Sequence, residues 1–377
     1  MKKEKSLKVM TIFGTRPEII RLACIFKKFD EYLDHIMVHT GQSYDYEMNQ
    51  IFFDELEIRK PDYFLEVKAG TVGKQIANII EKSEEVLIKE KPDALLILGD
   101  TNSALASICA KRMKIPIFHM EAGNRCFDER VPEEINRKIV DSISDINLPY
   151  SENARLYLIK EGFHPGSIYV TGSPMAEVLD YYKEKINKSN VLKELELSKN
   201  KYFVANIHRE ENVDHEDSLE KIIDTFNEIT DKYNLPILVS THPRTAQKLE
   251  NKKFKFSDLI KFHKPFGYFD YISLQKNAFC VLSDSGTILE ESSILQFPAI
   301  QIRNSSERPE AFDEGVLILS GIDKDIVLQS INVTTKQFAL GEKFNVPRNY
   351  QDTNVSSKVL RHVIGLTKII QKKRKNY

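Results

Sequence analysis

The stretch DALLILGDTNSALASICAKRMKIPIFHMEAG, residues 93 to 123, decides the fold class. Two short apolar runs, at 93–98 and 115–120, flank a segment of helical length, a pattern that is typical of a β-α-β unit. Polar residues follow both runs, GDT at 99–101 and EAG at 121–123. Because the carboxyl ends of parallel strands meet at one edge of a sheet, these residues are expected to share the edge where open α/β folds bind ligands.

The same alternation of apolar runs and helical segments extends along the chain. Strands are predicted at 7–13, 35–40, 93–98, 115–120, 145–149 and 167–171, and again at 202–207, 235–240, 259–263, 279–283, 298–302 and 315–319. The chain has 377 residues, which is long for a single core. The sequence therefore predicts an α/β protein with two domains, each built on a parallel sheet that is flanked by helices.

The boundary between the two domains is predicted near 172, where Gly172 and Pro174 interrupt the pattern and a charged helical segment follows. The first domain then covers 1–172 and the second covers 173–354. In the remaining segment, 355–377, four apolar residues recur at helical spacing: Val355, Val359, Val363 and Leu366. This spacing predicts an amphipathic helix that packs back on the domains.

The amino-acid composition indicates which kinds of binding partner the protein is not expected to have. Lys and Arg together number 54 against 55 for Asp and Glu, a net charge of -1, so no global field attracts nucleic acid or an anionic membrane. The N-terminal apolar run ends at Gly14, which is too short for a signal peptide or a membrane span. The four cysteines stand far apart and predict neither a disulfide framework nor a thiolate zinc site. We expect a soluble cytoplasmic protein without nucleic-acid or membrane partners.

The segment GTRPE, residues 14–18, follows the first predicted strand and suits the binding of an anion. Pro17 stands at a helix start, where its missing N–H is harmless and its φ is already helical. The free N–H groups of that helix end, together with Arg16, favour negative charge. The same segment is equally well explained as a capped helix, and both interpretations stay open.

The segment DSGTILEES, residues 284–292, leaves the same choice. Thr287 and Glu290 have the spacing of a capping box. Ser285 and Gly286 also suit a backbone that a phosphate approaches closely, with Arg308 available from the next strand. Neither this segment nor GTRPE matches a Walker A loop or a dinucleotide fingerprint, which disfavours an ATPase or a dinucleotide enzyme.

Two histidines follow strands of the second domain, His208 in HREEN and His242 in THPR. A histidine in such a place is often only a hydrogen-bonded loop residue, but the adjacent Arg209 and Arg244 favour anion binding. His39 and His119 lie within predicted strands and are interpreted as core or wall residues. No ligand cluster of the H-E-x-x-H kind is present, so a catalytic metal is not expected.

Carboxylates follow two neighbouring strands of the first domain, Asp100 after ALLILG and Glu121 after IFHM. Each alone is most simply a helix cap or a paired structural acid. Two of them at a dry sheet edge, with Glu133 a few residues further on, favour acid–base chemistry. Glu134 and Arg137 are interpreted as first-turn helix charges and pairing partners.

Eight motifs stand in the order and approximate spacing of a known family. They are GTRPE, TGQ, GDT, MEAG, PEEINR, HREEN, DSG followed by EE, and ERPE, which together span about residues 8 to 365. The chain resembles the non-hydrolysing UDP-N-acetylglucosamine 2-epimerases. The resemblance implies a glycosyltransferase-B-like fold of two Rossmann-like domains, with a UDP-sugar in the cleft between them, and usually a homodimer.

One segment is more particular than the family pattern. NRCFDERVPEEINR, from Asn124 to Arg137, is similar to the branch that forms UDP-N-acetyl-L-fucosamine from UDP-2-acetamido-2,6-dideoxy-L-talose in capsule and O-antigen synthesis. Typical UDP-GlcNAc enzymes have leucine in place of Asn124 and lysine in place of Arg21, a change that keeps the charge and alters the donor geometry. Ser43 and Tyr44 replace a histidine and an arginine that resemble part of an allosteric site in some members. The resemblance favours the L-sugar, with UDP-GlcNAc and UDP-ManNAc as the alternative.

The resemblance also implies a mechanism and a set of site residues. UDP leaves as the carbon-2 proton is removed, and UDP then adds back to the 2-acetamidoglycal as the other face is protonated. Carried over by motif, the acid–base group is Asp100, Glu121, Glu133 and His208. The UDP ligands are Arg16, Arg21, His208, His242, Ser285, Gly286, Glu291 and Arg308, of which Glu291 takes the ribose. No NAD or metal is required.

Three other functions remain open at this stage. A glycosyltransferase of the same fold would consume UDP-sugar only with an acceptor. A hydrolysing epimerase would release free sugar and UDP. A UDP-sugar sensor would bind without turnover, although the intact set of acids disfavours it.

Overall fold

The chain forms two compact units. The computed structural model describes residues 6–41, 50–67, 70–129, 131–207, 209, 212, 216–241 and 254–375. The first unit comprises Met1–Tyr181 together with Arg348–Tyr377, and the second unit comprises Tyr182–Pro347.

The first unit contains a parallel sheet of six strands. The strands are β1 (Lys8–Phe13), β2 (Asp34–His39), β3 (Tyr63–Phe64), β4 (Ala94–Leu98), β5 (Ile117–Met120) and β6 (Ile146–Leu148). Their order is β3-β2-β1-β4-β5-β6, and β1 pairs with both β2 and β4. The direction of the connections reverses between β1 and β4, which creates a topological switch point where the loops after these strands diverge.

Helices cover the sheet of the first unit. They are α1 (Arg16–Tyr32), α2 (Val72–Glu90), α3 (Ser107–Arg112), α4 (Pro132–Ile143), α5 (Glu152–Lys160) and α6 (Met175–Tyr181), and residues 50–55 are also helical. The strands between them are apolar on both faces, as a sheet covered on two sides requires. Leu95 and Ile97 of β4, for example, pack in one buried cluster with Val86 and Leu87 of α2.

The second unit repeats the same strand order. Its strands are β7 (Phe203–Asn206), β8 (Ile237–Ser240), β9 (Ile260–His263), β10 (Cys280–Ser283), β11 (Ala299–Gln301) and β12 (Ile318–Leu319), in the order β12-β11-β10-β7-β8-β9. Its helices are α7 (Lys183–Asn187), α8 (Val191–Glu194), α9 (Glu216–Tyr233), α10 (Tyr268–Asn277), α11 (Ile288–Leu295), α12 (Pro309–Asp313) and α13 (Lys324–Ala339). The switch point of this sheet lies between β7 and β10.

The C-terminal helix α14 (Val355–Lys375) returns to the first unit and packs against α1. Val355, Val359 and Val363 are fully buried, whereas Ile364 on the opposite side is 45% exposed. The first unit extends to Tyr181 rather than to the predicted residue 172. The reason is that α6, with Val178 and Leu179 buried, packs on α1.

The prediction of two parallel α/β sheets is confirmed, and most predicted strands agree with the observed ones within two residues. The predicted strand at 167–171 is wrong, because the chain there makes only one isolated bridge, from Ile168 to Asn147. A 3-10 turn at Pro165–Ser167 and the left-handed backbone of Gly172 (φ 85°) confine the extended segment between them. The two-residue strand β3 was not predicted, since so short an edge strand has no periodicity to detect.

Candidate active site

The switch point of the first unit gathers the loops that follow β1, β4 and β5. Asp100 stands two residues after the end of β4, and Glu121 directly follows β5. The two strands pair in register, with Leu98 opposite Met120. The two carboxylates predicted for acid–base chemistry therefore lie on neighbouring loops.

Asp100 is paired with an arginine from α4. Its Oδ2 lies 2.6 Å from Nη2 of Arg137, whose side chain is only 3% exposed. Nη1 of the same guanidinium lies 3.0 Å from Oε2 of the fully buried Glu134. Asn136 donates to the carbonyl of Asp100 at 2.9 Å. The predicted pairing of Glu134 with Arg137 is confirmed, and it anchors the loop that carries Asp100.

Glu121 has its own arginine, from α1. Its Oε2 accepts from Nη1 of Arg21 at 2.6 Å, and its Oε1 accepts from Nδ2 of the buried Asn124 at 3.3 Å. The guanidinium of Arg21 lies over the ring of Tyr150. A contacting guanidinium favours the ionised carboxylate. The residue predicted as a diphosphate ligand, Arg21, thus contacts a predicted catalytic acid.

The other predicted residues of this unit lie on the first turns of two helices. Glu133, at the start of α4, is half-buried, and within the described residues its side chain makes no hydrogen bond or ion pair. Arg16, at the start of α1, is half-buried with its guanidinium over the ring of Phe52.

Glu18 is a buried acid that the sequence reasoning did not select. Its Oε2 accepts from the backbone N–H groups of Gly14 and Thr15 at 3.1 and 2.8 Å, and from the Thr15 hydroxyl at 2.7 Å. Its Oε1 accepts from the Thr101 hydroxyl at 3.3 Å. Burial raises the pKa of Glu18 to about 7, against the lowering effect of these hydrogen bonds. Glu18 therefore joins the loop of Arg16 to the loop of Asp100. The T-x-x-E spacing of a capping box was the available signal.

The predicted wall residues His119 and His39 are both fully buried, which confirms their interpretation. His119 donates from Nε2 to the carbonyl of Gly99 at 2.9 Å, and its Nδ1 lies 2.9 Å from Asp141. Burial lowers the pKa of His39 to about 4, so that its ring is neutral. Both rings hold backbone in place, since Nδ1 of His39 accepts from the N–H of Gly41.

Asp141 and Arg125 form a buried ion pair behind the loop of Glu121. Nη2 of Arg125 lies 2.8 Å from Asp141 and 2.5 Å from Glu161, and the Asp141 carboxylate also accepts from the N–H of Gly123. Nη1 of Arg125 donates to the carbonyl of Asn124 at 2.8 Å. The start of the segment 124–131 is thereby held firmly in the protein interior.

In the second unit, the loop after β10 meets a cluster of arginines. A Cβ added to Gly286 would lie 2.9 Å from Oε1 of Glu307, and 3.9 Å from both Nη2 of Arg209 and Nε of Arg308. Arg209 and Arg303 both pair with Glu307, at 3.4 and 3.1 Å. The predicted residues Ser285, Gly286 and Arg308 are therefore brought together, with Arg209 and Arg303 beside them. Arg303 was not predicted.

The capping-box explanation of the DSGT segment does not hold. Thr287 makes no side-chain capping bond, and the Glu290 carboxylate instead lies 3.5 Å from Nη2 of Arg308. Cationic side chains next to a glycine backbone are suited to a diphosphate. The structure thus favours the anion-binding interpretation of this segment over the cap.

In the second unit, two residues that were not predicted as site residues, Asp284 and Gln275, form hydrogen bonds with predicted segments of the site. Asp284, fully buried, accepts from the N–H of Arg209 at 2.9 Å and from Nδ2 of Asn212 at 3.1 Å, and so binds the HREEN segment. Gln275 donates to Glu291 at 2.9 Å. Buried amides inside a helix give no signal in an apolar pattern, which is why Gln275 was missed.

Several predicted positions lie outside the described residues: His208, His242, Arg244, Ser43 and Tyr44. Within the part of the chain that the structure describes, no three His, Cys, Asp or Glu side chains are grouped to hold a metal ion. In the same part, no helix has the length and apolar character needed to cross a membrane.

Comparisons with known proteins agree over nearly the whole chain. A family model described as UDP-N-acetylglucosamine 2-epimerase matches residues 27–364. A UDP-N-acetylglucosamine 2-epimerase homolog of Methanococcus maripaludis is 41% identical, covering 86% of this chain and 92% of the relative. The UDP-2,3-diacetamido-2,3-dideoxy-D-glucuronate 2-epimerase of Pseudomonas aeruginosa is 34% identical, covering 86% and 91%.

Solved structures give the same result. The UDP-N-acetylglucosamine 2-epimerase of Rickettsia bellii is 50% identical, with a TM-score of 0.92 over 97% of this chain and 98% of the other. The UDP-GlcNAc 2-epimerase of Methanocaldococcus jannaschii, in complex with UDP-GlcNAc and UDP, is 34% identical, with a TM-score of 0.89 over 95% and 100%. The calicheamicin glycosyltransferase CalG4, 10% identical with a TM-score of 0.55 over 95% and 98%, shares the fold alone.

Proposed function

Because the chain belongs to the UDP-N-acetylglucosamine 2-epimerase family, an isomerase family, we propose that it inverts carbon 2 of a UDP-2-acetamido sugar by eliminating UDP and adding it back. One observation carries the proposal. Asp100 and Glu121 lie on neighbouring loops, each held by its own buried arginine at 2.6 Å. Two carboxylates oriented in this way are suited to moving a proton at a sugar carbon.

The proposed reaction has two halves. A base removes the carbon-2 proton while the carbon 1–oxygen bond breaks, so that UDP leaves with the bonding electrons and a 2-acetamidoglycal remains. A proton then reaches carbon 2 from the opposite face as a phosphate oxygen of UDP rejoins carbon 1. Asp100, Glu121, Glu133 and His208 are the proposed acid–base group.

The departing UDP must stay bound to the protein after the first half of the reaction, until it adds back in the second. The proposed ligands of the diphosphate are Arg16, Arg21, His208, Ser285, Gly286 and Arg308. Glu291 is the proposed ligand of the ribose, and His242 is a further proposed ligand of UDP. The arginines around Gly286 support this role, because charged donors stabilise the negative charge of the leaving group. The reaction as proposed uses no metal or NAD.

The proposed substrate pair is UDP-2-acetamido-2,6-dideoxy-L-talose and UDP-N-acetyl-L-fucosamine, in capsule or O-antigen synthesis. It is supported by Asn124, which donates to Glu121 where the UDP-GlcNAc enzymes have leucine. UDP-GlcNAc with UDP-ManNAc is the second candidate, and the names of several relatives favour it. A cytoplasmic homodimer is the proposed working form.

Incubation in heavy water tests the reaction. With purified protein and each UDP-sugar in turn, NMR is expected to show one solvent deuterium at carbon 2 of the epimer. Formation of the epimer without deuterium would contradict the proposed elimination. Mass spectrometry separates the rival reactions, because a hydrolase would release free sugar and a transferase would leave the sugar unchanged without an acceptor. The sugar that turns over with the higher kcat/KM identifies the substrate.

A further inference from the structure

Glu291, the proposed ribose ligand, is held by a neutral donor in the protein interior. Nε2 of Gln275, on α10, donates to Oε2 of Glu291, on α11, at 2.9 Å. Gln275 is 1% exposed and Glu291 is 5% exposed. The contact is therefore shielded from water, and it fixes the direction in which the carboxylate points.

The type of donor matters for what Glu291 can do. An amide N–H orients a carboxylate by a directed hydrogen bond and carries no charge itself, whereas the arginines on Asp100 and Glu121 do carry a charge. A carboxylate has about four lone-pair positions, and the Gln275 contact occupies one of them. An oriented carboxylate of this kind is suited to accept hydrogen bonds from two adjacent hydroxyl groups.

A tyrosine one turn earlier on α10 belongs to the same group. Tyr271 and Gln275 are four residues apart and so lie on one face of the helix. Loss of solvation raises the pKa of Tyr271, while hydrogen bonds with Asn206 and Gln275 act in the opposite direction. The charge of Glu291 also raises the pKa of Tyr271, because Tyr271 lies near the same carboxylate as Gln275.

We propose that Gln275 is a positioning residue that aims Glu291 at the 2′- and 3′-hydroxyl groups of the nucleotide, and so sets the preference for ribonucleotide over 2′-deoxyribonucleotide. The proposal rests on the proposed function, and in particular on the role of Glu291 as the ribose ligand. Gln275 itself does not contact the nucleotide. A misaimed carboxylate loses its bonds to both hydroxyl groups of a ribose, whereas a 2′-deoxyribose has only the bond to its 3′-hydroxyl to lose.

Calorimetric titration with UDP and 2′-deoxy-UDP tests the proposal. Gln275→Met keeps the side-chain volume and removes the donor. The native chain is expected to prefer UDP, and Gln275→Met is expected to bind UDP about tenfold more weakly, with a clearly smaller loss for 2′-deoxy-UDP, so that the ratio of the two affinities falls. In turnover, KM for the UDP-sugar should rise by about the same factor while kcat stays within about twofold, since uniform binding is lost.

Asn277→Leu is the matched control. Nδ2 of Asn277 donates to the Ser273 carbonyl on the same helix and does not contact Glu291. This variant should keep the native ratio of the two affinities. If Gln275→Met weakens both nucleotides equally, or leaves their ratio unchanged, the positioning role is overturned.

Measurements on the native chain distinguish a failure of the Gln275 proposal from a failure of the proposed epimerase function. If it epimerises UDP-sugar yet binds UDP and 2′-deoxy-UDP equally, the ribose role of Glu291 and the role of Gln275 both fall, while the epimerase function stands. If it neither binds UDP nor incorporates deuterium, the proposed function itself is wrong.

Discussion

Arg137 touches two acids that differ in burial, and this difference separates its structural role from its chemical one. Arg137→Met leaves the fully buried Glu134 without its guanidinium, which should cost about 3 kcal/mol or more in the free energy of unfolding. It also leaves Asp100 without its partner, and kcat should fall at least about tenfold. Urea unfolding and steady-state kinetics measure the two losses.

A double variant tests whether the two losses are independent. Arg137→Met with Glu134→Gln removes the unpaired buried charge, and the amide can still engage the N–H of Cys126, which now bonds to Glu134. Stability should recover while kcat stays low. Recovery of both would show that Arg137 acts on the reaction only through the fold.

The buried carboxyl group of Glu18 makes the free energy of unfolding depend on pH. Its pKa rises from an ordinary 4.5 to about 7, so the folded chain binds this proton more tightly than the unfolded chain does. Its contribution to stability is therefore greatest below pH 4.5 and is lost as the pH rises through 7. The free energy of unfolding of the native chain, minus that of Glu18→Gln, should fall by roughly 3 kcal/mol across that range.

A surface acid on the same helix provides the comparison for Glu18. The side chain of Glu31 is 58% exposed, and the change with pH in this free-energy difference should be larger for Glu18→Gln than for Glu31→Gln. Denaturant unfolding at several pH values checks both variants. A flat difference for Glu18→Gln would show that the Glu18 carboxyl titrates alike in the folded and unfolded chains.

Individual side chains differed in how far the sequence could predict them. Asp100 and Glu121 were accessible because polar residues that end apolar strands share one sheet edge. Their arginines were not paired with them in advance, since Arg21 on α1 and Arg137 on α4 reach the acids only through the folded arrangement of the two helices. Gln275 is a buried polar residue, and burial itself is a property of the tertiary structure.

At the scale of elements, the turn between β1 and α1 is packed too tightly for a side chain. A Cβ on Gly14 would lie 2.2 Å from Oγ1 of Thr40 and 2.4 Å from Oγ of Ser103. Gly14→Ala should therefore displace the start of α1 with Arg16, cost about 1–3 kcal/mol in stability and weaken UDP binding. Thermal unfolding and calorimetry provide the measurements.

Two companion variants make the Gly14 result specific. Gly365→Ala lies in the interior of α14 with nothing within 4 Å of the new Cβ, and it should add about 0.5–1 kcal/mol. Removing both obstructing hydroxyls, with Thr40→Ala and Ser103→Ala, should restore part of the UDP affinity of Gly14→Ala. No restoration would show that space is not the reason for the glycine.

Elements were predictable where their periodicity was strong. The apolar run at 93–98 became β4, and the spacing of Val355, Val359 and Val363 became the buried face of α14. The apolar run at 167–171 did not become a strand, because its pairing with the neighbouring segment is limited to one isolated bridge at Asn147 and to backbone bonds from Tyr169 to Asn147 and from Thr171 to Pro149. The local sequence pattern predicts whether a segment is a helix or a strand better than it predicts which strands will pair with it.

At the scale of the whole molecule, α14 ties the end of the chain to its beginning. Val363→Asp places a charge in the buried face of this helix, which should cost about 3 kcal/mol or more and lower the midpoint of unfolding of the first unit by about 6 °C or more. Scanning calorimetry measures the shift. Ile364→Asp, one residue away and 45% exposed, should change it by about one degree at most. Equal shifts would mean that α14 does not support the first unit.

The same helix has a consequence for how the protein is made. The whole second unit is inserted between two parts of the first, so the ribosome completes the second unit before α14 emerges. At roughly 5–20 residues per second, the first unit waits on the order of ten seconds with the surface that α14 will cover still open. The nascent chain is therefore most exposed to aggregation and to chaperones while the second unit is being translated, until α14 closes the first unit.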